Sequence, residues 1–223
     1  MEITRIGTTR DRLGENPLWD AATGRLLWLD GLEGVVHVLD PVTGARADHR
    51  VPAPVGSLAL LEDGAAVLAL ADGFHRHDLA TGATTLLAPL PDAGPALRLN
   101  DGKVDRQGRF LAGTMQLHWA EGEAPAGGLF RLDGARAVPL AGDFATFNGP
   151  CFSPDGGTLY CADSSRRVIW AFDYDTATGT PANRRVFAEP GTAPDGATVD
   201  AEGRVWSALV RAGALACFAP DGR

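Results

Sequence analysis

The stretch "SPDGGTLYCADSSRRVIWAFDYDTATG", residues 153–179, holds two turns with two short apolar runs between them. In the first turn, Pro154 presets φ, Asp155 can bond its own backbone, and Gly156 accepts positive φ. The second turn, "DYDTATG", ends on Gly179. The runs "TLYCAD" and "VIWAFD" are rich in β-formers, and "DSSRR" (163–167) reads as the turn joining them. The whole is a strand–turn–strand–turn unit.

That unit recurs along the chain. Turns of the first kind begin at 20 ("DAATGR"), 61 ("LEDG"), 105 ("DRQGR"), 153 ("SPDGG") and 200 ("DAEGR"). A second set interleaves at 40 ("DPVTGA"), 78 ("DLATGA"), 132 ("LDGAR"), 173 ("DYDTATG") and 219 ("APDGR"). The turn glycines Gly24, Gly64, Gly108, Gly156 and Gly203 are spaced by 40, 44, 48 and 47 residues. A four-stranded unit of that length is a propeller blade. No long segment keeps a helical period. A β-sandwich is the alternative, but sandwiches do not repeat a two-hairpin unit. The expected fold is all-β, a β-propeller of four-stranded blades with about five repeats, forming one domain over residues 1–223. If the ring is open, edge strands near "LACFAP" (215–220) are expected to offer a self-association surface.

Composition narrows the partners. The formal charge of −8 disfavours nucleic acid and anionic membranes. The longest apolar run, around Ala65–Ala71, is far short of the roughly 20 residues of a membrane helix. "MEITRIGTTR" has no apolar signal region, which points to the cytoplasm. Cys151, Cys161 and Cys217 read as reduced thiols, with a Cys151–Cys161 pairing across a hairpin as the alternative.

Counting back eight residues from the turn glycines aligns Gly56, Asn100, Asn148 and Asp195. The first repeat has one extra turn residue, so nine from Gly24 gives Glu15. Four of five repeats thus put an oxygen-bearing side chain at one position, just before the strand that enters the first turn. If this position lies at the mouth of the inner strands, rotation brings these side chains together on the axis. Two carboxylates and two amides are hard donors, suited to Ca²⁺, Mg²⁺ or Mn²⁺ and, less well, Zn²⁺. The competing reading makes each a turn or capping residue. "PDG" itself occurs three times, at 154, 194 and 220. Only the copy containing Asp195 falls outside the repeat's turns.

Other candidates carry less. His75 and His77 in "DGFHRHD" have metal-like spacing but no third ligand, and read as surface histidines. "DSSRR" lacks a nucleophile elbow, although Asp163 is placed to support the axis. "DGK" (101–103) lacks the glycine run of a phosphate loop. His118 and Trp119, in "QLHWAEGEAPAGG", are expected to line a pocket, with the Trp offering a sugar-stacking face.

"LGENPLWD" (13–20), "RLNDGKVDRQGRFLAGTM" (98–115), "FNGPCFSPDGGTLYCADSSRRVIWAFDYD" (147–175) and "PDGATVDAEGRVWSALV" (194–210) resemble the gluconolactonase / senescence-marker-protein / luciferin-regenerating-enzyme family. The resemblance implies a six-bladed propeller with one divalent metal in its channel, Ca²⁺ first among the ions, and family members continue for about another blade past "APDGR". It implies Glu15, Asn148 and Asp195 as metal ligands, with Asp195 also a general base. It implies Arg98 and Asn100 as substrate-binding residues; the loop after "AGTM" departs from the family's pattern, and His118 is a substrate-binding candidate from its place in that loop. The implied activity is metal-dependent hydrolysis of sugar lactones of the gluconolactone type. A non-catalytic calcium-binding or regulatory propeller, and an aryl-ester or phosphotriester hydrolase, are the alternatives.

Overall fold

A computed structural model describes residues 4–91 and 96–223. Its strands form five antiparallel sheets in chain order. The first is β1 (Gly14–Asp20), β2 (Arg25–Asp30), β3 (Val35–Leu39) and β4 (Arg46–Arg50). The second is β5 (Val55–Leu60), β6 (Ala66–Leu70), β7 (Gly73–His77) and β8 (Thr84–Pro89). The third is β9 (Leu97–Val104), β10 (Phe110–Gln116), β11 (Gly127–Asp133) and β12 (Arg136–Phe144). The fourth is β13 (Phe147–Phe152), β14 (Thr158–Asp163), β15 (Val168–Asp175) and β16 (Thr180–Ala188). The fifth has three strands, β17 (Pro194–Val199), β18 (Val205–Leu209) and β19 (Ala214–Phe218). Each sheet is a meander, and the first strand of each packs on the first strand of the next. This is a five-bladed propeller. The meandering order within each sheet excludes the sandwich.

The repeat signal has a backbone cause. Gly24, Gly64, Gly108, Gly156 and Gly203 all take positive φ, between +67° and +86°. A side chain there is strained, so glycine recurs at each first turn. The second turns work through Asp: Asp40, Asp78 and Asp175 each accept backbone N–H bonds from two and three residues on.

Cores lie between blades. Leu27, Leu29, Val36 and Val38 of the first blade meet Val55, Leu58, Ala66, Leu68 and Leu70 of the second. Similar clusters join the second to the third, the third to the fourth and the fourth to the fifth. Among the described residues no such cluster joins the fifth blade to the first. Period-2 alternation shows what faces that side. Leu18 packs inward, so Trp19 points away, and Phe218 packs inward, so Leu215 does. Trp19 and Leu215 are each 55% exposed. Asp11, which accepts from Trp28 Nε1 at 2.8 Å and lies 3.0 Å from His37 Nε2, ties the N-terminal segment onto the first blade.

Two expectations need revision or resolution. His77 is buried, not a surface residue, and its Nδ1 lies 2.8 Å from Thr84 Oγ1. It ends β7, which lies inside the blade between two other strands. His75 is half-buried and pairs with Asp72. All three cysteines are free thiols, and Cys151 faces Tyr160 across the hairpin rather than Cys161. No helix among the described residues is long and apolar enough to cross a membrane.

Candidate functional site

The five aligned positions share one backbone feature. Glu15, Gly56, Asn148 and Asp195 are each the second residue of β1, β5, β13 and β17, and Asn100 lies in β9. At each, the ladder to the next strand shifts register: after Glu15, between Val55 and Ser57, opposite Ala112 to Thr114, after Asn148, and between Pro194 and Ala197. A bulge bends a strand and re-aims its side chains. The position therefore lies inside the inner strand, at its bulge, and not just before it.

Gly56 breaks the polar pattern for a steric reason. A Cβ there would lie 2.4 Å from the Asn100 carbonyl oxygen and 2.6 Å from its Cα. The second and third blades approach too closely at the axis for any side chain.

Hydrogen bonds fix how the amides point. The Ser164 hydroxyl donates to the Pro194 carbonyl, so it accepts from Asn148 Nδ2, at 2.8 Å. That turns Asn148 Oδ1 toward Asn100, whose Nδ2 donates to it at 2.8 Å and to the Phe147 carbonyl at 2.9 Å. Asn148 Oδ1 keeps a second lone pair. Both N–H groups of Asn100 are used, and among the described residues nothing donates to its Oδ1. Ser164→Ala should release the Asn148 amide and weaken divalent-metal affinity by roughly 10–100-fold, as loss of an orienting partner does. Calorimetric titration with Ca²⁺ or Mn²⁺ checks this; unchanged affinity would separate Ser164 from the site.

The carboxylates are desolvated and crowd one another. Burial, then the charges of Asp195 and Asp101, push the Glu15 carboxyl up to about 7, while Arg98 opposes them. Burial also raises Asp195, against a hydrogen bond from the Gly196 amide. Asp101, which the sequence did not single out, is raised by burial to about 6. It accepts the Gly149 and Gly102 amides at 2.8 Å each, so it tethers the bulge of β13 to β9. Its signal was the Asp next to an aligned Asn. Burial lowers the pKa of Arg98 and Glu15 counters this; Arg98 Nη1 also donates to the Leu99 carbonyl.

A pH dependence follows. Protonated Glu15 is favoured in the metal-free fold, whose value of about 7 exceeds the ordinary 4.5. That contribution is complete below about 4.5 and is lost as pH rises through about 7. Metal-free protein should therefore lose thermal stability across this window, and Glu15→Gln should flatten the curve. Equal slopes for both proteins would contradict the assignment.

The remaining candidates sit elsewhere. His118 is exposed on the β10–β11 connection, and Trp119 is half-buried there, its Nε1 donating to the Glu123 carbonyl. Trp119 lines a cavity of about 370 Å³ with Ser165, Arg166 and Arg167. Ser164 and Ser165 are neighbours, so this cavity opens at the same end of the propeller as the axial cluster. Asp163 is buried and accepts the Ala145 and Thr146 amides at 2.9 and 3.1 Å. It holds the connection that leads into Phe147 and Asn148.

Among the described residues no three His, Cys, Asp or Glu side chains are placed to hold a metal by themselves. The axial set fits a hard cation only as carboxylates plus amide oxygen. Asp101 is committed to backbone amides, which leaves Glu15 and Asp195. Nothing among the described residues donates to the Glu15 carboxylate. Two desolvated, mutually repelling carboxylates beside an aimed amide oxygen form a donor set that suits a divalent ion.

One bulge per inner strand and a shared acidic–amide cluster define a β-propeller whose candidate site lies where the inner strands meet. The chain belongs to the SMP-30/Gluconolactonase/LRE-like family, which matches over residues 13–223. It is 36% identical over 216 residues to a 6-deoxy-6-sulfogluconolactonase of Pseudomonas putida, covering 95% of this chain and 73% of that one. It is 37% identical to regucalcin of Xenopus laevis, covering 94% and 72%. A crystal structure of a calcium-binding regucalcin from Agrobacterium tumefaciens superposes with a TM-score of 0.87 at 33% identity, over 96% of this chain and 73% of that one.

Proposed function

We propose that the protein hydrolyses a sugar lactone of the gluconolactone type at the axial cluster, with one divalent cation held by Glu15, Asn148 and Asp195. The observation that carries this reading is the pair of half-buried carboxylates, both raised by desolvation, beside an amide oxygen locked in orientation by Ser164. The names of the Pseudomonas and other lactonase relatives supply the substrate class. Ca²⁺ suits the mixed carboxylate and amide oxygens best, and Mn²⁺, Mg²⁺ or Zn²⁺ are the other candidates. When bound, the cation supplies Lewis-acid polarisation of the lactone carbonyl.

The chain's own groups do the rest. Asp195, basic through burial, takes a proton from the attacking water and returns it to the ring oxygen as the C–O bond breaks. One water is consumed, and the product is the open-chain aldonic acid. Arg98 donates to lactone oxygens and orients the ring. Asn100 has spent its N–H groups on Phe147 and Asn148, so it offers Oδ1 and accepts from a sugar hydroxyl. His118 and Trp119 stand farther out on the loop, where the far end of a larger sugar would reach.

Acid release from glucono-1,5-lactone, followed by pH indicator, tests the proposal. Turnover should require Ca²⁺, Mn²⁺, Mg²⁺ or Zn²⁺ and cease with chelator. Metal-dependent thermal stabilisation without acid release would instead make this a calcium-binding propeller, as the Agrobacterium relative is described. Faster turnover of aryl esters or phosphotriesters would move the substrate class.

A further inference from the structure

A second cavity, of about 390 Å³, lies along the same three inner strands. Its lining comprises Lys103, Val104, Asp105 and Arg106 at the end of β9, Cys151 and Phe152 of β13, and Thr198 and Val199 of β17. These sit three or more residues on from Asn100, Asn148 and Asp195. At about 3.3 Å per residue the cavity is roughly 10 Å further along the axis, at the opposite mouth.

Its charge is the reverse of the cluster above it. The Asp105 carboxylate is fully committed, to the Arg109 and Gln107 amides, to Arg109 Nε at 2.6 Å and to the Tyr174 hydroxyl at 2.8 Å. Asp200, next to Val199, is likewise held by Arg204 Nε at 2.7 Å and Trp206 Nε1 at 2.9 Å. Burial raises the Cys151 thiol to about 12, so it stays neutral. Lys103 and Arg106 are left. Among the described residues neither has a carboxylate within ion-pair distance. Lys103 lines the cavity opposite Cys151 of β13, and its charge acts to lower the pKa of both Cys151 and Asp101. Arg106 Nη2 reaches across to the Phe152 and Ser153 carbonyls only at 3.4 and 3.3 Å. A guanidinium so weakly engaged has donors to spare. Two cations without an ion-pair partner among the described residues, on one cavity, stand out in a chain of net charge −8.

We propose that this mouth binds a phosphate group, using the Lys103 ammonium, the Arg106 guanidinium and the Thr198 hydroxyl. A point charge, a planar fork and a hydroxyl donor together match a tetrahedral oxyanion. The cavity leaves room for a substituent, so the group is either free phosphate or the phosphate of a small phosphorylated metabolite. The site is separate from the axial cluster and independent of the lactonase reading.

The test is calorimetric titration of the full chain with inorganic phosphate and, in parallel, with glucose 6-phosphate. No divalent metal is added, so that the acidic axial cluster repels both. Saturable binding is expected, weakened about 10-fold or more by Lys103→Gln or by Arg106→Gln, and unchanged by Glu15→Gln. Tighter binding of the sugar phosphate would identify the phosphorylated metabolite as the source, and tighter phosphate the free ion. Potassium chloride at equal ionic strength should give no saturable heat. Absence of saturable binding by the wild type, or equal binding by the cooperatively melting Lys103→Gln and Arg106→Gln variants, overturns the proposal.

Discussion

Asp195→Ala should weaken divalent-metal binding by at least about 100-fold and lower kcat/KM for glucono-1,5-lactone by about 10²–10³-fold or more. Asp195 is asked to do two things, so both readouts must fall together. In the proposed mechanism it is the base, and among the described carboxylates of the cluster only Asp195 and Glu15 accept no hydrogen bond from another strand. The stability of the metal-free variant distinguishes this from a folding defect. Asp195 is a like charge acting on Glu15, so its removal lowers the Glu15 pKa and relieves repulsion. Metal-free Asp195→Ala should melt no lower than the wild type at pH 7. Asp195→Asn keeps an oxygen donor but removes the base, and should recover part of the metal affinity with little of the turnover. Wild-type metal affinity in Asp195→Ala would remove Asp195 from the ligand set.

The second large effect is expected at the one aligned position without a polar side chain. Gly56→Ala puts a Cβ 2.4–2.7 Å from the Asn100 backbone, where neither partner is a flexible side-chain end. Ser57 Oγ bonds the same Asn100 carbonyl at 2.8 Å, so the strands cannot slide apart freely. Overpacking of this kind costs about 3 kcal/mol, or roughly 6–12 °C in Tm for a chain of this size. Metal affinity should fall as well, because displaced Asn100 no longer meets Asn148 Oδ1. A Tm within 2 °C of the wild type, on the order of a surface change, would show that the blades yield there.

The blade pattern was readable because its turns depend on single residues. Positive φ demands glycine at each first turn, and the Asx bonds demand Asp at several of the second. The axial set was readable by offset for a related reason. Every blade carries its bulge at the same distance from its turn glycine, apart from the extra residue before Gly24. The bulge itself was not legible, since its positive-φ residues differ: Asn16 in one blade and Gly149 in another. Nor was the reason for Gly56, which depends on an approach between strands 44 residues apart in sequence at Asn100. Asp101 and Ser164 were missed because their roles are hydrogen bonds to other blades. His77 was misplaced because a charged, His-rich "HRH" run looks exposed, whereas its final residue turns into the blade. Family resemblance implied roles for Glu15, Asn148 and Asp195, and the geometry supplied what orients the Asn148 amide.

In the proposed mechanism Glu15, Asn148 and Asp195 together hold the ion that serves lactone hydrolysis. An anomalous-scattering map from a Mn²⁺-soaked crystal of this chain tests it most directly. The predicted result is one strong peak within about 2.0–2.6 Å of oxygens from all three residues. A peak that excludes Glu15 or Asp195, or no peak on the axis at saturating Mn²⁺, would contradict it.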